Sequence, residues 1–140
     1  MITDYNHVSF TVSNLDRSID FYTKAFGFTF LQRFESIGSK VAGYPDLHSK
    51  VVFLQLGGLN LELIEYVNPR GEHRPVLETK DVGTAHFALT CDDVHVEYER
   101  LKKMGVRFKS EPQVSKRFGT MSVYGLDPDG ITFELRSAPW

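Results

Sequence analysis

Two histidines lie on the polar face of segments in which apolar and polar residues alternate. His7 and His86 each open such a segment, and each lies on the face that the hydrophobic side chains avoid. A repeat of two residues is typical of a β-strand with one buried face. Two glutamates, Glu62 and Glu134, occupy the corresponding polar face of two later alternating segments. All four side chains are therefore expected on strand faces opposite the hydrophobic core.

The spacing of these residues indicates a repeated arrangement that could bind a metal ion. Glu62 follows His7 by 55 residues, and Glu134 follows His86 by 48 residues. A carboxylate in a partly enclosed cavity is costly unless it is paired or bound to a cation. Two neutral imidazoles and two carboxylates offset the charge of a divalent ion and suit Zn, Ni, Co, Fe or Mn. The alternative is four polar residues on solvated strands, and their matched positions favour the metal.

The elements that must hold these residues occur twice, in the order β-α-β-β-β. In the first half, the apolar spacing predicts a helix that begins near Leu15 and ends near Phe26, with Gly27 as its C-terminal cap. In the second half, a helix begins near Val94 and ends before Gly105. The other predicted strands are 28–34, 50–56 and 59–66 in the first half, and 106–109, 120–126 and 131–136 in the second.

The repeated order predicts one α+β domain built from two βαβββ modules. The first module is predicted at 4–67, a linker at 68–82 and the second module at 83–137, because the linker segment is polar, contains proline and glycine and has no periodicity. Long loops are predicted at 35–50 and 110–119. Each helix would cover the apolar face of its sheet, and the two other, partly polar faces brought together would enclose a cavity.

The composition is that of a soluble globular protein. Of the 140 residues, 41% are hydrophobic and 24% are charged, and the net charge of -2 lacks the basic surplus of a nucleic-acid-binding surface. No apolar run approaches the ~20 residues of a membrane span, and the first residues do not resemble a signal peptide. The single cysteine, Cys91, fits a reducing compartment and a core position. We therefore predict a cytoplasmic protein with no nucleic-acid or membrane partner.

Other polar residues are weaker candidates for function. Glu65 is expected at a solvated strand end, and His95 on the surface of the second helix. His48 and His73 lie in predicted loops from which either could reach a substrate. Three basic residues of the second half could contact an anionic substrate: Lys109, Lys116 and Arg117.

Longer motifs around the four metal candidates resemble those of the vicinal oxygen chelate superfamily. This superfamily includes glyoxalase I, methylmalonyl-CoA epimerase, extradiol dioxygenases and fosfomycin- or bleomycin-resistance proteins. The resemblance covers nearly the whole chain. It rests on Asn6–Val8 with Leu15–Tyr22, on Leu61–Leu63, on His86–Leu89 and on Asp127–Leu135.

The resemblance implies that the two βαβββ modules pair into an open, barrel-like sheet around a metal cavity. One divalent metal ion would be held there by His7, Glu62, His86 and Glu134. Glyoxalase-like members use a ligand at the position of Glu62, whereas ring-cleaving dioxygenases use two histidines and one glutamate. An octahedral ion with four protein ligands keeps two open sites, which suffice for adjacent substrate oxygens. Extradiol cleavage needs three open sites. The resemblance therefore favours a lyase, isomerase or epimerase.

The implied chemistry is proton transfer on a small substrate with adjacent oxygens. The metal would act as a Lewis acid on a carbonyl and stabilise an enediolate. Glu134 or Glu62 would be the general base while the other holds the ion, and the resemblance favours Glu134. Bacterial glyoxalase I has arginine and asparagine, which contact glutathione, where this chain has Thr11 and Tyr66. Segment 127–130 also differs from that of the epimerases, so neither specific reaction follows.

Two other functions remain open within the same superfamily. One is an extradiol-type dioxygenase, and the other is a bleomycin-resistance-type protein that binds a ligand in an aromatic cleft without a metal. The complete histidine and glutamate set favours the metal-dependent enzyme. Edge strands often pair between chains in this superfamily, so the resemblance also implies a homodimer. Whether each metal takes its ligands from one chain or from two stays open.

Overall fold

A computed structural model gives the fold and describes residues 1–72 and 78–137. The chain divides into two compact units, residues 1–74 and 75–140. The described part of each unit contains one helix and one mixed sheet.

The first unit has the strand order β1-β4-β3-β2. Strand β1 runs parallel to β4, and the other neighbours are antiparallel. Strands β2 and β3 are longer than predicted, so that the loop between them shrinks to residues 38–47. The elements are β1 (Val8–Thr11), α1 (Leu15–Phe26), β2 (Thr29–Ile37), β3 (His48–Leu56) and β4 (Leu59–Asn68).

The second unit repeats this topology with one strand interrupted. Strands β6 and β7 pair in succession with the same neighbour, β8, and so replace the single β2 of the first unit. Pro112 lies between them and has no N–H to donate to a sheet. The prediction that 110–119 is only a loop was wrong in this respect. The elements are β5 (His86–Thr90), α2 (Val94–Lys103), β6 (Arg107–Phe108), β7 (Gln113–Val114), β8 (Met121–Leu126) and β9 (Thr132–Arg136).

The caps of α1 follow from its sequence. The Asn14 side chain accepts a hydrogen bond from the Arg17 N–H, as a helix N-cap does. At the other end Gly27 adopts a left-handed conformation with φ of 75°, which glycine reaches without a steric penalty. The predicted bounds of this helix are confirmed.

Each sheet buries one face against its helix, and the helix does not cover the other face. In the first unit Leu61 and Leu63 of β4 are fully buried, and α1 packs against β2, β3 and β4. In the second unit Phe133 and Leu135 of β9 are buried, and α2 packs against β8 and β9. Because side chains alternate along a strand, the residues between these pairs lie on the opposite face, here called the site face.

Glu65 links the sheet to the start of α1. Its carboxylate accepts a hydrogen bond of 2.8 Å from the Leu15 N–H and lies 3.7 Å from the Lys50 ammonium. The expectation of a merely solvated position was wrong, because Glu65 satisfies a free N–H of the first helical turn. A carboxylate there also interacts favourably with the positive end of the helix dipole.

The α+β class and the two βαβββ modules are confirmed. The module boundaries at 4–67, 68–82 and 83–137 stay predictions, and residues 73–77 of the proposed linker lie outside the described residues. In the described ranges, no helix combines the length and apolar character needed to cross a membrane.

Gly125 offers a test of packing in the second unit. It lies opposite Phe133 in the sheet, and a Cβ at this position would lie 2.2 Å from the buried Phe133 ring. We expect Gly125→Ala to destabilise the protein by about 1–3 kcal/mol, because the ring must leave its packed position. Urea unfolding measures the change. Gly71→Ala is the matched control, since an added Cβ there meets nothing within 4 Å, and equal stability of the two variants would contradict this packing.

Candidate metal-binding pairs

The first unit brings His7 and Glu62 together on the site face. Glu62 lies on β4 opposite Ser9 of the parallel strand β1, two residues beyond His7. The His7 Nε2 and Glu62 Oε2 atoms are 3.4 Å apart. The parallel pairing of the first and last strands of the unit therefore creates this contact.

The second unit builds the same pair in the same register. Glu134 lies on β9 opposite Ala88 of the parallel strand β5, again two residues beyond the histidine. The His86 Nε2 and Glu134 Oε2 atoms are 3.6 Å apart. The matched positions inferred from the sequence thus correspond to a repeated geometry within each unit.

The distances in both pairs fit two ligands of one metal ion. Donor atoms about 2.0–2.2 Å from an ion and about 90–110° apart lie roughly 2.8–3.6 Å from each other. Both observed separations fall in this range and exceed the ordinary length of an N–H···O hydrogen bond. Imidazole nitrogen and carboxylate oxygen are also suitable donors for first-row divalent metals.

The carboxylates in these pairs are more buried than the imidazoles. The side chains of Glu62 and Glu134 are 16% and 13% exposed, whereas His7 and His86 are 33% and 37% exposed. A largely buried carboxylate needs a positive partner, which a protonated histidine or a bound cation can supply. Each pair is therefore a suitable half of a metal site.

Each unit supplies two such donors. In residues 1–72 and 78–137, no group of three or more histidine, cysteine, aspartate or glutamate side chains is placed to hold one ion. In these ranges each pair is therefore a two-donor arrangement, and the four-ligand site stays a prediction.

An aromatic ring contacts each histidine from the strand beyond the one that carries the glutamate. Phe53 lies opposite Glu62 in the sheet and contacts the His7 ring edge-on at 5.4 Å between centroids. Tyr124 lies opposite Glu134 and contacts the His86 ring at 5.0 Å. Burial, followed by the negative charge of Glu134, raises the pKa of Tyr124, which keeps its hydroxyl protonated at neutral pH.

The first pair has a further polar contact. The His7 Nδ1 atom lies 2.6 Å from the side-chain oxygen of Asn6. Because an amide oxygen only accepts hydrogen bonds, His7 carries a proton on Nδ1 in this arrangement. In the neutral ring, Nε2 then keeps the lone pair that faces Glu62, as a metal ligand requires.

A pocket of about 520 Å³ lies beside the first pair. It shares Phe53 and Asn6 with the surroundings of His7. We call it the carboxamide pocket, since four of its lining residues carry side-chain amides. The lining residues are Asn6, Leu31, Gln32, Phe53, Gln55 and Asn60.

Comparison with known proteins identifies the family. The model of the Glyoxalase/Bleomycin resistance protein/Dioxygenase superfamily matches residues 4–135. This chain belongs to that superfamily. Its fold agrees with that of a glyoxalase family protein from Bacillus cereus, with a TM-score of 0.85 at 22% identity over 97% of this chain and 94% of the other.

Sequence relatives in the superfamily carry more specific names. A lactoylglutathione lyase of Arabidopsis thaliana is 30% identical over 92% of this chain, which spans 42% of that relative's length. A lactoylglutathione lyase of Escherichia coli O157:H7 is 30% identical over 92% of this chain and 88% of its own length. A 2-epi-5-epi-valiolone epimerase from an Actinomyces species is 30% identical over 96% of this chain and 79% of its own length.

His48 and His95 belong to neither pair. His48 begins β3 rather than lying in a loop, and its Nε2 atom is 2.6 Å from an oxygen of Glu35. His95 is exposed in the first turn of α2, as expected. His73 lies outside the described residues.

Neither the single cysteine nor the three basic candidates form part of the two pairs. Burial, followed by nearby acidic residues, raises the pKa of the Cys91 thiol, which argues against a nucleophilic role. Lys109, Lys116 and Arg117 are all exposed. The Arg117 guanidinium lies 5.2 Å from the centre of the Phe118 ring.

Sequence reasoning missed the residues that surround the pairs. Phe53 and Gln55 were predictable, because a two-residue turn at Gly57-Gly58 sets Phe53 opposite Glu62 and Gln55 opposite Asn60. For the contact of Asn6 with the His7 ring, the only indication in the sequence was that Asn6 directly precedes His7.

The contact between Asn6 and His7 predicts a defined tautomer. In metal-free protein at a pH where His7 is neutral, we expect its ring proton on Nδ1. Asn6→Ala removes the acceptor and should shift His7 toward the Nε2-protonated form. Two-dimensional ¹H–¹⁵N NMR of the histidine rings measures the change, with His95 as the internal control. An unprotonated Nδ1 in the parent protein would contradict the assignment.

Proposed function

We propose that this chain is a divalent-metal-dependent lyase or isomerase of the glyoxalase or epimerase type. It acts on a small substrate with adjacent oxygens by moving a proton beside a carbonyl. The observation that carries this proposal is the histidine–glutamate pair, which recurs in both units with the same strand register and nearly the same separation. A solvated strand face gives no reason for this repetition.

Relatives support the reaction class. Proteins named lactoylglutathione lyase and an epimerase are each 30% identical to this chain. The plant lyases are more than twice as long as the matched region, so their activity comes to this chain only as part of the proposal.

The proposed ligands are His7, Glu62, His86 and Glu134, with Zn, Ni, Co, Fe or Mn as the ion. When bound, the ion would supply Lewis-acid polarisation of a substrate carbonyl. His7 and His86 hold their positions by packing against Phe53 and Tyr124. Asn6 fixes the His7 tautomer.

Glu134 is the proposed general base, and Glu62 holds the ion. Glu134 takes the proton from the carbon beside the carbonyl and returns it to the product. Its side chain is largely buried, with 13% exposed, and lies beside the His86 ring. Glu62 is similarly buried, and the choice between them follows the family resemblance.

The proposed assembly is a cytoplasmic homodimer. Strand β2 is an edge strand of the first sheet, and eight of its nine residues are exposed. The exposed residues include Phe30, Leu31 and Phe34. Exposed apolar side chains on a free strand edge are typical of a surface that pairs with another chain.

Metal content tests the proposed site. We expect one divalent ion per chain in the purified parent protein, and loss of it in the double variant His7→Ala plus His86→Ala, because half of the ligands are removed. Elemental analysis after dialysis measures the stoichiometry. His95→Ala is the control and should retain the ion. Full retention in the double variant would refute the site, and activity without a metal would favour a ligand-binding or other role.

Separate glutamine variants test the base. We expect Glu134→Gln to lower kcat by at least about 100-fold while a measurable metal site remains, because the amide cannot accept the proton. Deuterium incorporation from solvent into 2-hydroxy and 2-oxo compounds measures proton transfer directly. Glu35→Gln removes an exposed carboxylate and is the matched control. If Glu62→Gln alone abolishes exchange, the two glutamates have the opposite roles. Oxygen uptake with catechols under Fe(II) would instead indicate a dioxygenase.

A further inference from the structure

The carboxamide pocket lies on the same face of the first sheet as Glu62. Gln32 lies opposite Phe53, and Phe53 lies opposite Glu62, so these three form one row across β2, β3 and β4. Gln55 and Asn60 form the next row. A substrate group bound between these two rows would therefore lie next to the row that contains Glu62, a proposed metal ligand.

Internal hydrogen bonds order part of the pocket. The Gln55 amide nitrogen donates to the Asn60 side-chain oxygen at 3.0 Å. The Asn60 amide nitrogen in turn donates to the main-chain oxygen of Asn6 at 3.1 Å. These bonds fix Gln55 and Asn60 in place before any ligand arrives, which reduces the entropy lost on binding.

The same network leaves both donors and acceptors available to a ligand. Among the described residues, no side chain or main-chain group hydrogen-bonds to the Gln32 amide, to the Gln55 side-chain oxygen or to the Asn6 amide nitrogen. An amide offers an N–H donor and a C=O acceptor without charge. A hydroxyl group both donates and accepts, so several hydroxyls can satisfy this mixed set.

Charged ligands fit the pocket poorly. None of the six lining residues carries a charge. The nearest basic residues of the two strands lie on the helix face, where Arg33 is 2.6 Å from Asp16 and Lys50 is 3.7 Å from Glu65. Carboxylates and phosphates are bound most strongly by arginine or lysine, and the nearby Glu62 carboxylate would repel them.

From this arrangement we propose that the carboxamide pocket binds an uncharged, polyhydroxylated part of the substrate, as found in a sugar or cyclitol ketone. Phe53 and Leu31 provide apolar contact for its C–H groups, and the amides bind its hydroxyls. The pocket would thereby determine specificity beside the His7–Glu62 pair. This inference rests on the proposed function and narrows its substrate to a class.

Two matched probes test the inference. D-Fructose is an uncharged polyhydroxy ketone, and 2-keto-D-gluconate has the same carbon count with a carboxylate. Binding is followed through the side-chain amide signals of Asn6, Gln32 and Gln55 in ¹H–¹⁵N NMR spectra. We expect fructose to shift these signals and to bind at least about three- to tenfold more tightly than the acid, because the acid lacks a cationic partner. Equal or tighter binding of the acid, or unchanged amide signals, would overturn the proposal.

Single substitutions test whether fructose binding depends on the pocket amides or on the fold in general. Gln32→Leu and Gln55→Leu should each raise the fructose Kd about three- to tenfold, through loss of one ligand hydrogen bond. Gln113→Leu alters an exposed amide of the second unit and should leave the Kd unchanged. Gln32→Lys should move the preference toward 2-keto-D-gluconate. Unfolding midpoints are compared first, and an unchanged Kd in both folded leucine variants would refute the assignment.

The result is distinguishable from failure of the proposed enzyme function. The titrations are run on both metal-free and metal-loaded protein, because the pocket amides do not include a proposed metal ligand. If the protein binds fructose through Gln32 and Gln55 but neither holds a metal nor exchanges protons, the pocket proposal stands and the proposed enzyme function is refuted. If the protein binds metal but shows no fructose binding that depends on these amides, only the pocket proposal is refuted.

Discussion

The parallel pairing of the first and last strands in each unit is the constraint on which the candidate site depends. It sets His7 two residues before the residue opposite Glu62, and it repeats that offset for His86 and Glu134. The hydrophobic core fixes this register. A slip of one residue would turn Leu61 and Leu63, both fully buried, toward the site face and Glu62 toward the helix. The hydrophobic packing that stabilises each sheet therefore also positions its histidine–glutamate pair.

This coupling explains how a sheet tolerates largely buried carboxylates. Glu62 lies between two buried leucines in sequence, and Glu134 lies between buried Phe133 and Leu135. The alternating pattern leaves the carboxylate no route into the helix-covered core, where its desolvation would cost most. A histidine on the adjacent strand gives it a partner at short distance. Sites built on strands held by packing on their other face keep their geometry better than sites on loops.

Sequence alone was sufficient for the repeated plan and for the four residues of the two pairs, because both follow from local periodicity. The C-terminal cap at Gly27 was predictable from its residue type at the end of the apolar helical pattern. The contact between Glu65 and the Leu15 N–H was not, since it joins residues 50 positions apart whose approach depends on tertiary packing. The short strand β7 was also missed, because a two-residue strand carries too little periodicity to be recognised, whereas β6 lies within the predicted strand 106–109.

The two units keep the register of their pairs but differ in what surrounds them. The first adds Asn6, Phe53 and the carboxamide pocket, whereas the second places Tyr124 beside its histidine and Arg136 two residues beyond Glu134. Identical surroundings could not distinguish the two ends of a substrate with adjacent oxygens. In the proposed four-ligand site, equivalent pairs would hold the ion while the unlike neighbours select which substrate carbon lies near which glutamate. Divergence around a repeated geometry would thus let the proposed site hold its substrate in one orientation, so that one particular carbon lies beside the base.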